Sequence, residues 1–132
     1  MQYSVAVRNA GLDAREVAIG ASAVLKVFSG TIPTSCAAAD TADGDVLATL
    51  NLPEDWMAAA SNGIKVKSGT WQDLSADETG EATHFRIYSA LGACGIQGTV
   101  GVSASDMITD SVQFTAGQSF TVVTFTIQDN NG

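Results

Sequence analysis

The chain has 132 residues, with 6 basic and 14 acidic side chains, a net charge of −8 and a pI near 4.2. That balance excludes an electrostatic nucleic-acid binder, which needs a basic face to displace counterions. A hydrophobic share of 45% with 15% charged residues argues against disorder. At this length about two-thirds of the surface is buried on folding, enough for one core without a structural metal.

The first segment stands apart from the rest. Tyr3 to Ile19 is built mostly of Ala, Val, Arg, Asp, Glu and Leu, without proline, and Val5, Leu12 and Ile19 recur every seven residues. That stripe predicts a helix stopped by Gly20, where a C-terminal cap glycine belongs. A break near Gly11 with recapping at Asp13 is the variant of this reading. Met1 to Arg8 lacks the basic and apolar regions of a signal peptide, and no apolar run approaches the ~18–20 residues of a membrane span.

Beyond Gly20 the period changes to two. Val24 to Phe28 reads as a strand, and Val46 to Leu52 as a second one stopped by Pro53. Ile64 to Lys67 follows the turn signal Asn62-Gly63. His84 to Tyr88 places Phe85 and Ile87 on one face and His84, Arg86 and Tyr88 on the other. Ile96 to Val102 is punctuated by glycine, and Val112 with Phe114 precedes the turn Ala116-Gly117. Phe120 to Ile127 alternates until its phase slips at Val122-Val123, which points to a bulge or to a strand buried on both faces. Glu54 to Ala60 reads either as a short helix or as a strand edge, and the stretches Thr31 to Asp45 and Gln72 to Glu81 read as long polar loops. Short strands after one helix predict a mainly β chain, a single β-sandwich or jelly-roll-like domain at 21–132 with an N-terminal helical arm at 1–20.

Residues that could carry chemistry are few. The only imidazole, His84, sits inside a strand, and no Ser lies in a Gly-x-Ser-x-Gly context. The cluster Asp40, Asp43 and Asp45 supplies calcium-type oxygens without the spacing of an EF-hand. Gly92, Gly95, Gly98 and Gly101 fall every third residue with no Lys-Ser/Thr after them, so close backbone approach in a twisted strand explains them better than a phosphate cradle. Trp56, Trp71 and Tyr88 suit either a glycan or a core. Cys36 and Cys94 lie 58 residues apart and read as two buried thiols or as one long-range disulfide. No enzyme activity, metal or cofactor is expected.

Several stretches together carry a resemblance. They are Tyr3-Ser-Val-Ala-Val-Arg-Asn-Ala-Gly-Leu-Asp-Ala, Ile19-Gly, Lys26-Val-Phe-Ser-Gly-Thr-Ile-Pro33, Leu47-Ala-Thr-Leu-Asn-Leu-Pro53, Ala82-Thr-His-Phe-Arg-Ile-Tyr88, Gln97-Gly-Thr-Val-Gly101 and Thr124-Phe-Thr-Ile-Gln. Across nearly its whole length the chain resembles a family of small virion proteins of tailed bacteriophages. The resemblance implies a structural role on a virus particle, made in the host cytoplasm and carried in the virion. The first expectation is a capsid decoration (cement) protein that binds the major capsid protein or other virion proteins, as a homo-oligomer, with no nucleic acid or membrane as partner. The alternative is a tail-fibre, neck or head-fibre module that contacts the host surface. Partner contacts are expected on Tyr3, Val5, Val7, Leu12 and Ile19 and on the loop around Cys36, because a helical stripe can lie in a partner's groove. The competing expectation has the helix packed on the sheet as part of the core.

Overall fold

A computed structural model describes residues 1–129, so positions 130–132 of the expected 21–132 domain lie outside the described residues. The helix α1 spans Val5–Ile19 without a break at Gly11. Ser4 caps it, its hydroxyl accepting from the Val7 N–H at 3.2 Å, and Gly20 ends it at φ 88° with its N–H on the Glu16 carbonyl at 2.8 Å. Both ends therefore satisfy backbone groups that a helix leaves open.

The rest of the described chain is mainly β. The strands are β1 (Val24–Phe28), β2 (Val46–Asn51), β3 (Ile64–Val66), β4 (Gln72–Asp73), β5 (Gly80–Glu81), β6 (His84–Tyr88), β7 (Cys94–Gly101), β8 (Met107–Thr109), β9 (Gln113–Phe114) and β10 (Phe120–Gln128). One sheet runs β2-β1-β6-β7-β8-β10-β3, with β4 on β10, and β5 pairs with β9 in a second, two-stranded sheet. The large sheet curls until β2 comes beside β4. There Asp77 N donates to the Leu47 carbonyl at 2.8 Å, and the Asp73 carboxylate accepts from Thr49 N at 3.0 Å. All pairs are antiparallel except β7 with β8, whose partners Val100 and Met107 are joined by a full loop of chain. Asp106 closes that loop by accepting from both the N–H and the hydroxyl of Thr99.

Pairing defects explain where the period of two fails. A register shift at Val27/Phe28 lets Leu47 and Ala48 both turn inward on β2. On β10 the shift falls between Val122 and Thr124, and it leaves Val123 exposed. This is the bulge form of the predicted phase slip. Strands β4, β5 and β8 have no counterpart in the sequence pattern, because two or three residues display no period and, unlike the equally short β3 and β9, these lack the Asn62-Gly63 or Ala116-Gly117 type of turn signal beside them. Glu54 to Ala60 forms neither helix nor strand, only a bridge from Met57 to Lys67.

The core is the concave side of the curled sheet. Leu25, Val27, Leu47, Leu50, Ile87 and Met107 surround a run of rings in which Trp56 meets Trp71 at 6.0 Å, Trp71 meets Phe125 at 5.5 Å, and Phe125 meets Phe85 edge-on at 5.5 Å. The two indoles thus belong to the core, and each N–H has a carbonyl partner, Gly20 for Trp56 and Ser68 for Trp71. On the convex side the 29–45 loop lies as a strap over β6, so β6 buries His84 and Arg86 as well as Phe85 and Ile87.

Candidate attachment surface

Helix α1 lies at the end of the sheet where β6 finishes, β7 begins and β10 ends, and its polarity there is inverted. The side facing the protein carries most of the polar groups. Arg8 donates to the Asp129 carbonyl, Asn9 accepts from Gly63 N, Asp13 accepts from Ala60 N, and Glu16 accepts from Met57 N. Between Asp13 and Glu16 the Lys65 ammonium is 2.6 Å from the first carboxylate and 2.9 Å from the second, with its side chain 2% exposed. Burial alone would push the Lys65 pKa down, but the hydrogen bonds it donates to Asp13 and Glu16 raise it above the usual lysine value. The same contact, with a further bond from Ala60 N, lowers the Asp13 pKa. Leu12 is fully buried among these groups, and Ile19 packs partly on the core.

The outward half of the helix carries no polar side chain. At 100° per residue Ala6, Val7, Ala10, Gly11, Ala14, Val17 and Ala18 share that half, and every one of them is exposed, Val17 to 79%. Tyr3 and Val5, before and at the first turn, are each about half exposed. The sequence-predicted contact residues therefore divide. Tyr3, Val5 and Val7 are on the surface, Leu12 is inside, and Ile19 straddles the edge of a shallow groove shared with Arg15, Ala18, Ala93 and Cys94. Beside that groove the β6–β7 hairpin holds Leu91 at its tip, 98% exposed. Gly95 is the glycine of this strand packed against the helix: a Cβ on it would stand 2.6 Å from Ile19 Cγ1.

From Arg8 to Gly20 the helix is therefore fastened to the β-domain along its inner face. The reason is the placement of Arg8, Asn9, Asp13 and Glu16, which reach backbone amides, Lys65 and the Asp129 carbonyl, although Asp13 keeps 46% of its side chain in water. Residues missed by the seven-residue stripe, Ala10, Ala14 and Val17, were marked by a second series at spacings of three and four. That series lies opposite the polar residues.

The remaining candidates lie elsewhere. Cys36 and Cys94 are joined in a disulfide, with Cα atoms 5.4 Å apart, and both are half-buried. His84 is buried beneath the strap, stacked on Phe28 at 5.1 Å, with Nδ1 2.8 Å from the Thr83 hydroxyl, rather than on the sheet surface. Its burial, followed by the nearby Arg86 charge, lowers its pKa. Asp40 accepts from Arg86 and from the Tyr88 hydroxyl, while Asp43 accepts from the N–H and hydroxyl of Thr31. Among the described residues no group of three or more His, Cys, Asp or Glu is placed to hold a metal, and no helix is long and apolar enough to cross a membrane.

Charge is distributed unevenly along the sheet. The end opposite the helix, where β1 finishes and β6 begins, exposes Asp45, Asp77, Glu78, Glu81 and Asp110, and no lysine or arginine lies on those segments. Arg8, Arg15, Lys65 and Lys67 are all in the helix half. The fold and this surface define a mainly β protein with a helix presenting an apolar face outward. No family model, curated protein or solved structure matches the chain.

Proposed function

We propose that the chain is a structural protein of a tailed-phage particle, and that it decorates the capsid as a cement protein. The observation that carries this reading is the inverted helix. A face free of polar side chains, about 18 Å long from Ala6 to Ala18 at 1.5 Å per residue, is left uncovered on a protein with a buried core of its own. Exposed apolar surface of that kind marks an interaction site. The acidic end opposite it gives the subunit a direction, with the helix toward the particle and the carboxylates toward solvent. Binding to the assembled lattice but not to its dispersed subunits stabilises the lattice by mass action. The major capsid protein is the proposed partner, and self-association into a homo-oligomer on the lattice accompanies it. The two halves of the curled sheet that face each other across the core are read as a sandwich of jelly-roll-like type.

The test is a pair of charged substitutions on the outer face, Val7→Glu with Val17→Glu, which leave every inward contact in place. The expected result is a folded protein that no longer decorates particles. Those particles then burst at lower temperature or osmotic stress, as do particles lacking the whole gene, while adsorption to host cells is unchanged. Normal particle stability with adsorption lost in the gene deletion would instead make the chain a tail-fibre, neck or head-fibre module.

A further inference from the structure

The strap over β6 is held by groups that owe nothing to its cysteine. Arg86 and Gln97 face one another in the β6–β7 register, and both reach up into the strap. Arg86 Nη2 donates to the carbonyls of Ser35 and Ala38, at 2.9 and 2.7 Å, and Nη1 donates to Asp40 at 2.9 Å. Gln97 Nε2 donates to the Pro33 carbonyl at 2.9 Å, and its oxygen accepts from Arg86 Nε. Ser35 and Ala38 also close a turn on each other, Ala38 N donating to Ser35 O at 3.0 Å, with Cys36 inside it. Cys36 is thus positioned from both sides by a buried guanidinium and an amide before any sulfur chemistry. Cys94 is equally fixed, as the first residue of β7 paired with Tyr88.

We infer that the Cys36–Cys94 bond is a redox latch closed on an already folded strap, and that the protein keeps its fold with the latch open. In a reducing compartment the two thiols stand side by side. Closure follows two exchanges with a small-molecule disulfide of the glutathione type. One protein thiolate attacks that disulfide and releases one small thiolate, leaving a mixed disulfide. The second protein thiolate then attacks the protein sulfur and releases the other. The protein loses two electrons and its two thiol protons, and the small disulfide leaves as two thiols. Closing the latch ties the strap to the hairpin that carries Leu91 and to the groove beside Ile19, so oxidation fixes surface next to the helix.

The test is equilibration in glutathione redox buffers, once under native conditions and once in concentrated urea, which yields the effective concentration of one thiol at the other in each state. Because a 58-residue loop is closed, the native value is expected to exceed the denatured one by at least about a hundredfold. Near-UV circular dichroism of the reduced native protein is expected to remain that of the oxidised one. A smaller ratio, or loss of the near-UV signal on reduction, overturns the inference. Gln97→Ala removes the hold on Pro33 and is expected to lower the native value several-fold while leaving the denatured value alone. Asp40→Ala, at a half-exposed side chain, provides the same comparison should Gln97→Ala not fold. An unchanged native value in a folded variant overturns the claim that these contacts position Cys36.

Discussion

The ammonium of Lys65 sits 2.6 Å from the carboxylate of Asp13, so a lysine in a short strand is the counter-ion of the helix. With Glu16 at 2.9 Å and the Ala58 carbonyl at 3.0 Å, the cation has exchanged water for three oxygens. A buried charge of this kind is tolerated only while its partners stay in place. The ion group thereby fixes the helix in rotation as well as position, and that rotation turns the Val and Ala residues outward.

Removing a partner is expected to cost more than removing the charge. Glu16→Ala leaves Lys65 with one carboxylate and strips the Met57 N–H of its acceptor, for a loss of about 2–4 kcal/mol. Lys65→Met combined with Glu16→Gln fills the same space without a buried charge, keeps an acceptor for the Met57 N–H and leaves only Asp13, 46% exposed, without its cation, for a loss of about 1–2 kcal/mol. Urea unfolding of the two variants checks the order. The reverse order would mean that the Lys65 head reaches solvent once the helix loosens.

Stability is expected to fall as pH drops from 7.5 to 5, and His84 is the group responsible. Its folded pKa lies below the unfolded 6.5, first because it is buried and then because Arg86 is near. Between the folded and unfolded values the unfolded chain therefore binds more protons, and stability rises with pH across that window. The slope is at most about 1.4 kcal/mol per pH unit. His84→Phe, which can keep the stack on Phe28, is expected to flatten it. Below about pH 4 a second loss is expected as Asp13, whose folded pKa is depressed by Lys65, takes up its proton. A slope unchanged in His84→Phe would assign the first window to another group.

Long elements were legible in the sequence because they display a period. Val24 to Phe28, His84 to Tyr88 and the helix to Gly20 are where the pattern puts them, and so is the slip at Val122-Val123. Short elements were legible only beside a turn signal, as Ile64–Val66 after Asn62-Gly63 and Gln113–Phe114 before Ala116-Gly117 were, whereas Gln72–Asp73 and Gly80–Glu81 are set by partners distant in the chain. The outward face of the helix was half legible. The Val5, Leu12, Ile19 stripe finds the helix, but its apolar members point to both sides, because Asp13 and Glu16 face Lys65 across 52 and 49 residues of chain. A carboxylate on a helix reads as solvent-facing until its buried cation is known. Burial of His84 was hidden for the same reason: the strap that covers it is a polar loop held down by Arg86.

A methyl group at Gly95 is expected to displace the last turn of the helix. The added Cβ would meet Ile19 Cγ1 at 2.6 Å and Cδ1 at 2.8 Å, for a cost of about 1–2 kcal/mol. In an Ile19→Ala background the same Gly95→Ala change is expected to cost close to nothing. A double-mutant cycle by chemical denaturation then gives a coupling of about 1–2 kcal/mol. Additive losses would mean that the strand, not the helix, absorbs the strain.

Deleting residues 1–20 is expected to abolish cooperative folding rather than to release an intact β-domain. The deletion exposes Lys65 with neither of its carboxylates and removes the Gly20 carbonyl that accepts from the Trp56 indole at 3.2 Å. It also leaves the amides of Met57, Ala60 and Gly63 without their acceptors. Each such loss costs about 1–3 kcal/mol where the group stays shielded from water, and the burial of Leu12 and of the core surface under the helix is lost as well. Their sum approaches the whole 5–15 kcal/mol stability typical of a domain. The Val7→Glu, Val17→Glu protein, which keeps all of those partners, is expected to unfold within about 1 kcal/mol of the parent. Thermal melts of the two proteins side by side separate the roles of the helix. A truncated chain that still melts cooperatively near the parent temperature would make residues 1–20 a detachable arm, with the inner contacts contributing little. A charged-face variant that melts far below the parent would place Val7 or Val17 inside the fold, and the outward surface would lose its claim to a partner.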